Sequence, residues 1–440
     1  MISLATEPRI LPPPRALPDN GQLRYWHWLD RQSDEQHRTL SEIKRLLERY
    51  RADERFRTAF RQPGADLVGL AARYGIRVDP RDVWPVLLRI DPDLPADGGP
   101  TRTALADLWE AYRAEMLQCL EDFLGTGDRP DANPSFAAWR RRQISRVKSE
   151  LGEMAQPIKH PVIAFELSAG CSVGCWFCGV GAGKFQENYP YTPETRRLWR
   201  DLLTHCTEFL GDSAQTGFCY WATEPTDNPN YVRFIEDFHD ITGVIPSTTT
   251  AMPLRDPALT RQILDLQERY GGLPNRFSIL TLRTFERVHA TFSALELLGV
   301  ELVLQNPEAI QEKAFAGRAR DKAALVEKHN RKPASDNATI ACVSGFLVNM
   351  VSGAIRLVSP VAPSERWPLG YRVYGERRFK SAPEFRRAME ELVAEHMPMT
   401  ISASSRLAFR GDLAFERQAD RFTLGSRGAR YALGGFAGAG

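Results

Sequence analysis

The 440-residue sequence predicts an α/β protein that has a helical module in front of its sheet and an extension behind it. The first third of the chain places apolar residues at the three- and four-residue spacings of amphipathic helices. From about residue 160, short runs of β-forming residues alternate with helical segments. That alternation is typical of βα units and a parallel sheet.

The N-terminal part of the chain is expected to fold as a helical module. Residues 1–20 are rich in proline, and we expect a disordered tail there. Residues 21–155 contain amphipathic segments, such as 41–60 and 102–124, that are separated by loops rich in Pro, Gly and Asp.

The middle of the chain, residues 156–335, predicts the α/β core. Strand-like runs occupy residues 161–168, 217–222, 243–250, 277–282 and 301–305, and helical patterns such as 194–210 and 286–298 lie between them. Parallel strands joined by helices build a full or partial α/β barrel, in which the chemistry lies at the carboxyl ends of the strands.

Residues 336–430 predict a C-terminal extension. The segment 339–359 indicates two strands around a turn at Ser352 and Gly353, a hairpin that carries Cys342. A helix is expected at 382–396. The glycine-rich residues 431–440 predict a mobile tail.

Charge and composition argue against several classes of partner. The net charge of +2 gives no reason to expect nucleic acid as the main partner. No apolar run approaches the roughly 20 residues that a membrane-spanning helix needs. The N-terminus lacks the apolar segment of a signal peptide. We therefore expect a cytoplasmic protein with no membrane partner.

The cysteines point to metal or redox chemistry. There are seven of them, an odd and clustered set that does not suit a disulfide framework: Cys119, Cys171, Cys175, Cys178, Cys206, Cys219 and Cys342. Three follow the first predicted strand with the spacing Cys171-x3-Cys175-x2-Cys178. A structural zinc site needs a fourth ligand, and none stands nearby at a suitable spacing.

Thiolates at this spacing favour an iron–sulfur cluster. Three ligands on a four-iron cluster leave one iron open, much as a catalytic zinc keeps one position free. The sequence therefore predicts a [4Fe–4S] cluster held by Cys171, Cys175 and Cys178.

This spacing, after the first strand of an α/β barrel, resembles the radical S-adenosylmethionine (SAM) superfamily. The resemblance implies a radical SAM partial (β/α)6 barrel, in which the open iron is chelated by the amino and carboxylate groups of SAM. It also implies that one electron from the cluster breaks the S–C5′ bond and yields a 5′-deoxyadenosyl radical. Phe177 occupies the position of the family's usual aromatic residue, whose backbone helps to hold the adenine.

A second motif supports the resemblance. Residues 222–225, Ala-Thr-Glu-Pro, resemble the family's Gly-Gly-Glu-Pro motif, which binds the amino group of SAM. A carboxylate suits a cationic amine, although Ala222 and Thr223 replace the two glycines. The resemblance thus implies SAM contacts by Thr223 and Glu224. Further candidate contacts near the strand ends, each with a purely structural alternative, are Ser247, Thr248, Thr249 and Arg283.

Longer segments resemble one branch of the superfamily. Residues 166–179, 342–349 and 359–371 are similar to the radical SAM peptide epimerases, which convert L-residues to D-residues in ribosomally made peptides. The cysteines outside the cluster motif are scattered, so no second cluster site is evident. The helical N-terminal module also lacks an obvious cobalamin-binding pattern.

The epimerase resemblance gives a role to a cysteine outside the cluster motif. After hydrogen abstraction from Cα, a thiol on the opposite face returns a hydrogen atom, and Cys342 occupies the matching segment. The alternative is a buried, inert cysteine. Cys206, in a predicted helix, and Cys219, in a predicted core strand, are weaker candidates.

The implied partners are a precursor peptide, with leader and core, and an electron donor such as flavodoxin or ferredoxin. Residues 56–79 resemble the leader segments of such precursors, so the helical module is a candidate for leader recognition, with a plain structural support as the alternative. Two other functions remain open: another radical SAM peptide modification, by cross-linking or Cβ chemistry, and a non-catalytic leader-binding protein.

Overall fold

The computed structural model describes residues 24–96, 98–310, 316–321, 338–406, 409–417 and 421–434. The proline-rich tail predicted at 1–20 lies outside these ranges, and so do residues 435–440 of the predicted C-terminal tail. Residues 431–434 of that tail belong to a strand. In the part of the chain that the structure describes, no helix is long and apolar enough to cross a membrane.

The N-terminal module is helical, as its periodicity predicts. Its helices are α1 (Arg24–Asp30), α2 (Asp34–Ala52), α3 (Glu54–Phe60), α4 (Leu67–Ala72), α5 (Trp84–Ile90) and α6 (Ala104–Gly127). Side-chain caps explain two of the boundaries. Ser33 and Gln36 form a capping box at the start of α2, and the carboxylate of Asp53 accepts backbone N–H groups at the start of α3. The module buries an aromatic-rich core that includes Tyr25 and Tyr50.

The remaining helices pack against the sheets. They are α7 (Pro134–Leu151), α8 (Pro193–Leu210), α9 (Tyr231–Thr242), α10 (Pro257–Tyr270), α11 (Leu282–Thr291), α12 (Arg318–Asp321) and α13 (Ala382–His396). The predicted helices at 194–210 and 382–396 are confirmed by α8 and α13. The predicted helix at 286–298 is confirmed only in its first part, because α11 ends at Thr291.

The strands in chain order are β1 (Ile163–Glu166), β2 (Ser168–Ala169), β3 (Glu187–Asn188), β4 (Thr249–Thr250), β5 (Asn275–Ile279), β6 (Val300–Leu304), β7 (Gly345–Asn349), β8 (Ala354–Pro360), β9 (Tyr371–Arg378), β10 (Ala414–Arg417), β11 (Arg421–Gly425) and β12 (Arg430–Gly434). One sheet has the order β1-β7-β8-β9, and a second, parallel sheet has the order β4-β5-β6. Strands β10 to β12 form an antiparallel sheet, and β2 pairs with β3.

The predicted hairpin in the C-terminal extension forms, and it joins the first sheet. β7 and β8 pair in antiparallel register across the turn at Ser352 and Gly353, while β7 lies parallel to β1. Cys342 therefore lies just before the hairpin, in the segment that leads into β7. The pairing of β1 with β7 brings this segment beside the start of the core.

Side chains alternate between the two faces of β5 and β6. Phe277, Ile279, Leu302 and Leu304 pack in one apolar cluster with residues of α10 and α11. Because successive strand residues point to opposite faces, Arg276, Ser278, Glu301 and Val303 lie on the other face. We call the side of the second sheet that carries these four residues the inner face.

The predicted barrel is not confirmed by the described residues. The run 217–222 contributes a single bridge between Phe218 and Ala164, and the run 243–250 contributes only Thr249 and Thr250 as a strand. Side chains supply bonds that a strand neighbour would otherwise make. The N–H of Ala222 donates to Glu166 at 3.1 Å, and the N–H of Thr248 donates to the side chain of Asn275 at 2.8 Å. The sheet is therefore irregular at these two positions.

The helical module packs at the β6 side of the second sheet. The side-chain amide of Asn306, just after β6, donates to the carbonyl of Ala52 at the end of α2 at 2.8 Å. At the other end of β6, the hydroxyl of Tyr112 in α6 donates to the carbonyl of Leu298 at 2.8 Å. The module thus covers a strand that would otherwise be a sheet edge, a position that folded proteins generally protect.

The close contact of β7 with the segment before β1 predicts a strict need for glycine. A Cβ added to Gly345 would lie 1.9 Å from the carbonyl oxygen of Val162. Gly345→Ala must therefore push the strands apart, and we expect the free energy of unfolding in urea to fall by about 1–3 kcal/mol. The matched control is Gly125→Ala in α6, where a Cβ meets nothing within 4 Å. Gly125→Ala should leave the free energy of unfolding unchanged or raise it by about 0.5–1 kcal/mol. An equal loss of stability in both variants would contradict the close contact of β7 with the segment before β1.

Candidate functional site

The three clustered cysteines lie on a loop that leaves the carboxyl end of β1 and folds back on itself. We call residues 171–183 the cysteine loop. Its ends are joined because the N–H of Cys171 donates to the carbonyl of Gly183 at 3.0 Å. The loop begins after Gly170, which has a φ of 78° and no room for a side chain, since a Cβ there would lie 2.1 Å from the carbonyl oxygen of Lys184.

Backbone N–H groups surround the thiols of this loop. The N–H of Ala182 donates to the sulfur of Cys178 at 3.4 Å. Burial raises the pKa of the Cys171 thiol, and hydrogen bonds from the N–H groups of Val173 and Gly174 oppose that rise. N–H donors directed at sulfur are the partners that cluster-binding thiolates receive. The donor set therefore fits a thiolate-bound iron–sulfur cluster.

The thiol of Cys175 is influenced by the other two. Burial raises the pKa of Cys175 to about 11, and the neighbouring thiols of Cys178 and Cys171 add to the rise. Among the described residues, no three His, Cys, Asp or Glu side chains are grouped to hold one metal ion. Cluster thiolates bind separate iron atoms, so they do not need to converge on one point. The assignment of the three cysteines as cluster ligands stays a prediction.

The cysteine loop is anchored to the 224–228 segment by an ionic network that sequence reasoning missed. The carboxylate of Asp227 accepts the N–H of Ser172 at 2.9 Å and its hydroxyl at 2.5 Å. The guanidinium of Arg255 pairs with Asp227 and donates to the hydroxyl of Ser172 at 2.6 Å. The signal available in the sequence was an acidic residue three positions after Glu224, at the end of the short 3-10 helix Pro225–Asp227.

Glu224 connects the same segment to the end of β4. Its buried carboxylate accepts the N–H of Thr226 at 3.2 Å, the N–H of Ala251 at 2.8 Å and the hydroxyls of Thr226 and Thr250. Burial raises the pKa of Glu224, while these hydrogen bonds favour the charged form. Glu224 also acts electrostatically on Cys171. The structure thus places Glu224 beside the cysteine loop, and its contact with SAM stays a prediction.

The other predicted SAM contacts are spread more widely. Phe177 is half-buried on the cysteine loop and packs edge-to-face on Trp176. Thr223 is half-buried next to Glu224. The hydroxyl of Ser247 donates to the carbonyl of Pro274 at 2.8 Å, and the buried hydroxyl of Thr248 bonds to that of Tyr231 at 3.0 Å.

Arg283 is placed away from the cysteine loop. It is exposed in the first turn of α11, and it lines a cleft of about 410 Å³ together with Asp53, Glu54 and Arg55 of the helical module. A second cleft, of about 440 Å³, lies within the module between α3 and α4. The structure therefore groups Glu224 and Thr250 with the cysteine loop, whereas Arg283 faces the module.

Thr249 belongs to a polar group on the inner face that the sequence did not reveal. The Nε of Arg276 donates to the hydroxyl of Thr249 at 3.0 Å, and its Nη2 donates to the hydroxyl of Tyr220. The Tyr220 hydroxyl raises the pKa of the Arg276 guanidinium although burial opposes the rise, so this cation remains charged. A charged residue directly before the predicted strand 277–282 was the signal that could have found it.

Cys342 borders the inner face. Its side chain is partly accessible and packs with an apolar cluster that includes Tyr220, Trp221 and Leu369. Burial raises the pKa of its thiol to about 11, and the charge of Arg276 opposes the rise. Cys206 and Cys219 differ, because each is 1% exposed within the main apolar core. Of the three cysteines weighed as hydrogen donors, Cys342 is the accessible one.

The anchoring of the cysteine loop by Asp227 leads to a stability prediction. Asp227→Asn removes the charge that faces Arg255, and its amide cannot replace all the accepted hydrogen bonds. We expect the free energy of unfolding in urea to fall by about 1–3 kcal/mol and alkylation of Cys171 to become faster. The control is Asp240→Asn, whose side chain is 53% exposed in its ion pair; it should change stability by less than about 0.5 kcal/mol. Similar effects of the two variants would show that the Asp227 network does not hold the loop.

Comparison with known proteins identifies a relative but not an activity. No family model matches the chain. Over 409 residues the chain is 44% identical to the "Uncharacterized protein y4wI" of Sinorhizobium fredii (strain NBRC 101917 / NGR234), and the match covers 92% of the chain and 79% of the relative. Among solved structures, the chain is similar to the one titled "Crystal structure of BtrN in complex with AdoMet and 2-DOIA". The match covers 44% of this chain and 72% of that structure's chain, with 14% identity and a TM-score of 0.30. This similarity is too distant to support an argument. By its identity and coverage, the chain belongs to the family of the rhizobial protein y4wI.

Proposed function

We propose that this protein is a radical SAM enzyme that converts L-residues to D-residues in a ribosomally made peptide. One observation carries the proposal: the segment that bears Cys342 lies against the loop that bears Cys171, Cys175 and Cys178. A Cβ on Gly179 of this loop would lie 2.7 Å from the side chain of Ile340, two residues before Cys342. A cofactor site and a thiol on opposite sides of a substrate are what epimerisation requires.

The cysteine loop supplies the cofactor side of this arrangement. Cys171, Cys175 and Cys178 would hold a [4Fe–4S] cluster, whose open iron binds SAM and supplies a 5′-deoxyadenosyl radical when both are present. The N–H groups of Val173 and Gly174 oppose the rise that burial causes in the pKa of the Cys171 thiol, and the N–H of Ala182 donates to the sulfur of Cys178. Glu224, held at the end of β4 by Thr250 and Ala251, provides a carboxylate for the amino group of SAM.

Cys342 supplies the hydrogen-donor side. Because burial raises the pKa of its thiol to about 11, Cys342 keeps its hydrogen at neutral pH. A hydrogen donor must be an S–H group and not a thiolate, so this raised pKa suits the role. Cys342 is also partly accessible, which suits a group that must meet a substrate.

The reaction balances as two hydrogen-atom transfers. With SAM and the cluster bound, the Cα–H bond of an L-residue would break, and its hydrogen would go to the 5′ carbon to form 5′-deoxyadenosine. The S–H bond of Cys342 then breaks, and its hydrogen forms the new Cα–H bond on the opposite face. The sulfur left on Cys342 takes up one electron and one proton from an external reductant before the next turnover. The electron that starts the reaction comes from a donor protein such as flavodoxin or ferredoxin.

The helical module completes the proposal. We propose that the module controls how the precursor peptide reaches the site, because it covers the β6 side of the second sheet, and Cys342 borders the inner face of that sheet. Its segment 56–79, which forms α3 and α4 and the turns around them, is the candidate leader contact.

The decisive experiment is anaerobic turnover of a candidate precursor peptide, with leader and core, in D2O with SAM and dithionite. The thiol of Cys342 exchanges with solvent, so each new D-residue should gain about one mass unit of deuterium. Mass spectrometry and chiral amino-acid analysis read the product. Cys342→Ala should still cleave SAM but give no D-residue, whereas the matched control Cys206→Ala should retain epimerisation. Cys206 is chosen because it lies in the apolar core of α8.

Other outcomes would replace the proposal with a different function. A mass change that is not due to deuterium would indicate cross-linking or Cβ chemistry. Peptide binding without any SAM cleavage would indicate a non-catalytic leader-binding protein. Full epimerisation by Cys342→Ala would show that another group returns the hydrogen.

The raised pKa of Cys342 gives a separate prediction of pH dependence. The thiolate is the form that alkylates, so iodoacetamide should modify Cys342 slowly at pH 8, and the rate should rise towards about pH 11. Because the folded-state pKa lies above the unfolded value of about 8.5, this group stabilises the fold below that value and loses the contribution as the pH rises through about 11. Peptide mapping by mass spectrometry measures the rate at each pH. A midpoint near pH 8.5 would mean that the thiol is not in the buried environment described.

A further inference from the structure

The cysteine loop is held on a second side by the short segment 316–321, which follows β6 in the chain. The Nη1 of Arg318 donates to the carbonyl of Cys175 at 2.6 Å, and the backbone N–H of Arg318 donates to the carbonyl of Cys178 at 3.0 Å. Two of the three predicted ligands therefore have their carbonyl groups bound by one residue. No motif in the sequence pointed to this contact.

Gly317 makes the approach of the two segments possible. Its φ is 55°, a conformation that side-chain-bearing residues rarely adopt, and a Cβ there would lie 2.5 Å from the carbonyl oxygen of Cys178 and 2.6 Å from that of Gly179. The backbone of 317 thus lies directly on the cysteine loop. Any larger residue must separate the two.

The same segment is tied to the turn before β9. The N–H of Gly317 donates to the carbonyl of Pro368 at 2.9 Å. The neighbouring Leu369 packs on the cysteine loop, since its side chain would lie 2.7 Å from a Cβ on Gly181. The carbonyl of Gly370 accepts the hydroxyl of Thr339 at 3.0 Å. The turn therefore links the cysteine loop to the segment that carries Cys342.

The last link reaches the proposed hydrogen donor. The hydroxyl of Thr339 accepts the N–H of Ala341 at 3.0 Å, which fixes the backbone immediately before Cys342. Ile340, between them, packs against Gly179 of the cysteine loop. A continuous set of contacts thus runs from Arg318 through Gly317, the 368–370 turn and Thr339 to Cys342.

We propose that Gly317 and Arg318 form a latch that fixes the cysteine loop and sets its position relative to Cys342, with Arg318 as a positioning residue. The role of the loop as a cluster site rests on the proposed function, but the latch itself is a property of the chain. Its geometry predicts two effects. Opening the latch should loosen the loop, and removing the Arg318 charge should change the electrostatic environment of any cluster bound there.

The charge effect has a definite sign. A guanidinium beside Cys175 stabilises the more negative, reduced form of a cluster, because opposite charges attract more strongly where water is partly excluded. Arg318→Gln should therefore move the midpoint potential to a more negative value. Arg318→Lys keeps the charge and should restore most of the potential.

The test uses the full chain in two states. In the metal-free protein, the rate of alkylation of Cys175 and Cys178 is measured by peptide mapping, with thermal unfolding as the check on folding. Loss of about one hydrogen bond, worth about 1.4 kcal/mol, corresponds to a rate increase on the order of tenfold. We expect this increase at both thiols in Gly317→Ala and at Cys178 in Arg318→Gln, because the Arg318 charge lowers the pKa of the Cys175 thiol and its loss slows alkylation there. In the protein reconstituted with iron and sulfide, iron content and the midpoint potential from electron paramagnetic resonance are measured.

Arg320→Gln is the matched control, because it removes the same charge from the same segment two residues away. Arg320 lies in α12, and its N–H bonds to the carbonyl of Gly317 within that turn. It should leave alkylation and potential close to those of the unaltered protein.

The outcomes separate the latch from the proposed function. Alkylation rates of Cys178 in Gly317→Ala and Arg318→Gln equal to that of Arg320→Gln would overturn the latch, whether or not iron binds. Faster alkylation of Cys178 in both variants, with a more negative potential in Arg318→Gln alone, would support it. An unaltered protein that binds the cluster but never epimerises the peptide would overturn the proposed function and leave the latch measurements valid.

Discussion

Buried carboxylates that accept backbone N–H groups are the interaction on which the candidate site depends. Glu166 accepts hydrogen bonds from the backbone N–H of Ala222 and from the side-chain amide of Asn349. Glu224 accepts the backbone N–H of Ala251, and Asp227 accepts the backbone N–H of Ser172. Glu166 thereby holds the irregular run 217–222 to β1, and Glu224 and Asp227 hold the 224–228 segment to the end of β4 and to the cysteine loop. A buried carboxylate without such donors would be strongly destabilising, so these bonds determine where the irregular segments lie.

These anchors, together with the parallel pairing of β1 and β7, bring distant parts of the chain to one place. In this parallel pair the segment of Cys342, which precedes β7, lies at the amino end of β1, whereas the cysteine loop follows β2 beyond the carboxyl end of β1. The side chains of Ile340 and Leu369, which lie close to Gly179 and Gly181, bring the Cys342 segment and the cysteine loop together. Arg276, with its hydroxyl partners Thr249 and Tyr220, places a permanent cation on the inner face that Cys342 borders.

Local patterns predicted many elements because local physics decides them. The amphipathic spacing of 41–60 and 102–124 predicted helices that α2, α3 and α6 confirm. Two strand-like runs around a turn at Ser352 and Gly353 predicted the β7–β8 hairpin. The runs 217–222 and 243–250 looked equally strand-like, but in the fold most of their length is irregular, since side chains of Glu166 and Asn275 take bonds that strand neighbours would make. A propensity scale cannot register such distant competitors.

The sequence by itself determined the candidate chemistry of this protein: the spacing of Cys171, Cys175 and Cys178 after a strand, the Glu-Pro motif, and a lone cysteine in the segment before a hairpin. These are short-range properties, because cysteines that are close in sequence on one loop can bind the same cluster. Only the tertiary structure decided that Cys342 is accessible while Cys206 and Cys219 lie in the core. It also decided that Arg283 faces the helical module and that Asp227 and Arg318 hold the cysteine loop. Those relations join residues that are far apart in the chain, and packing and hydrogen bonding across the fold establish them.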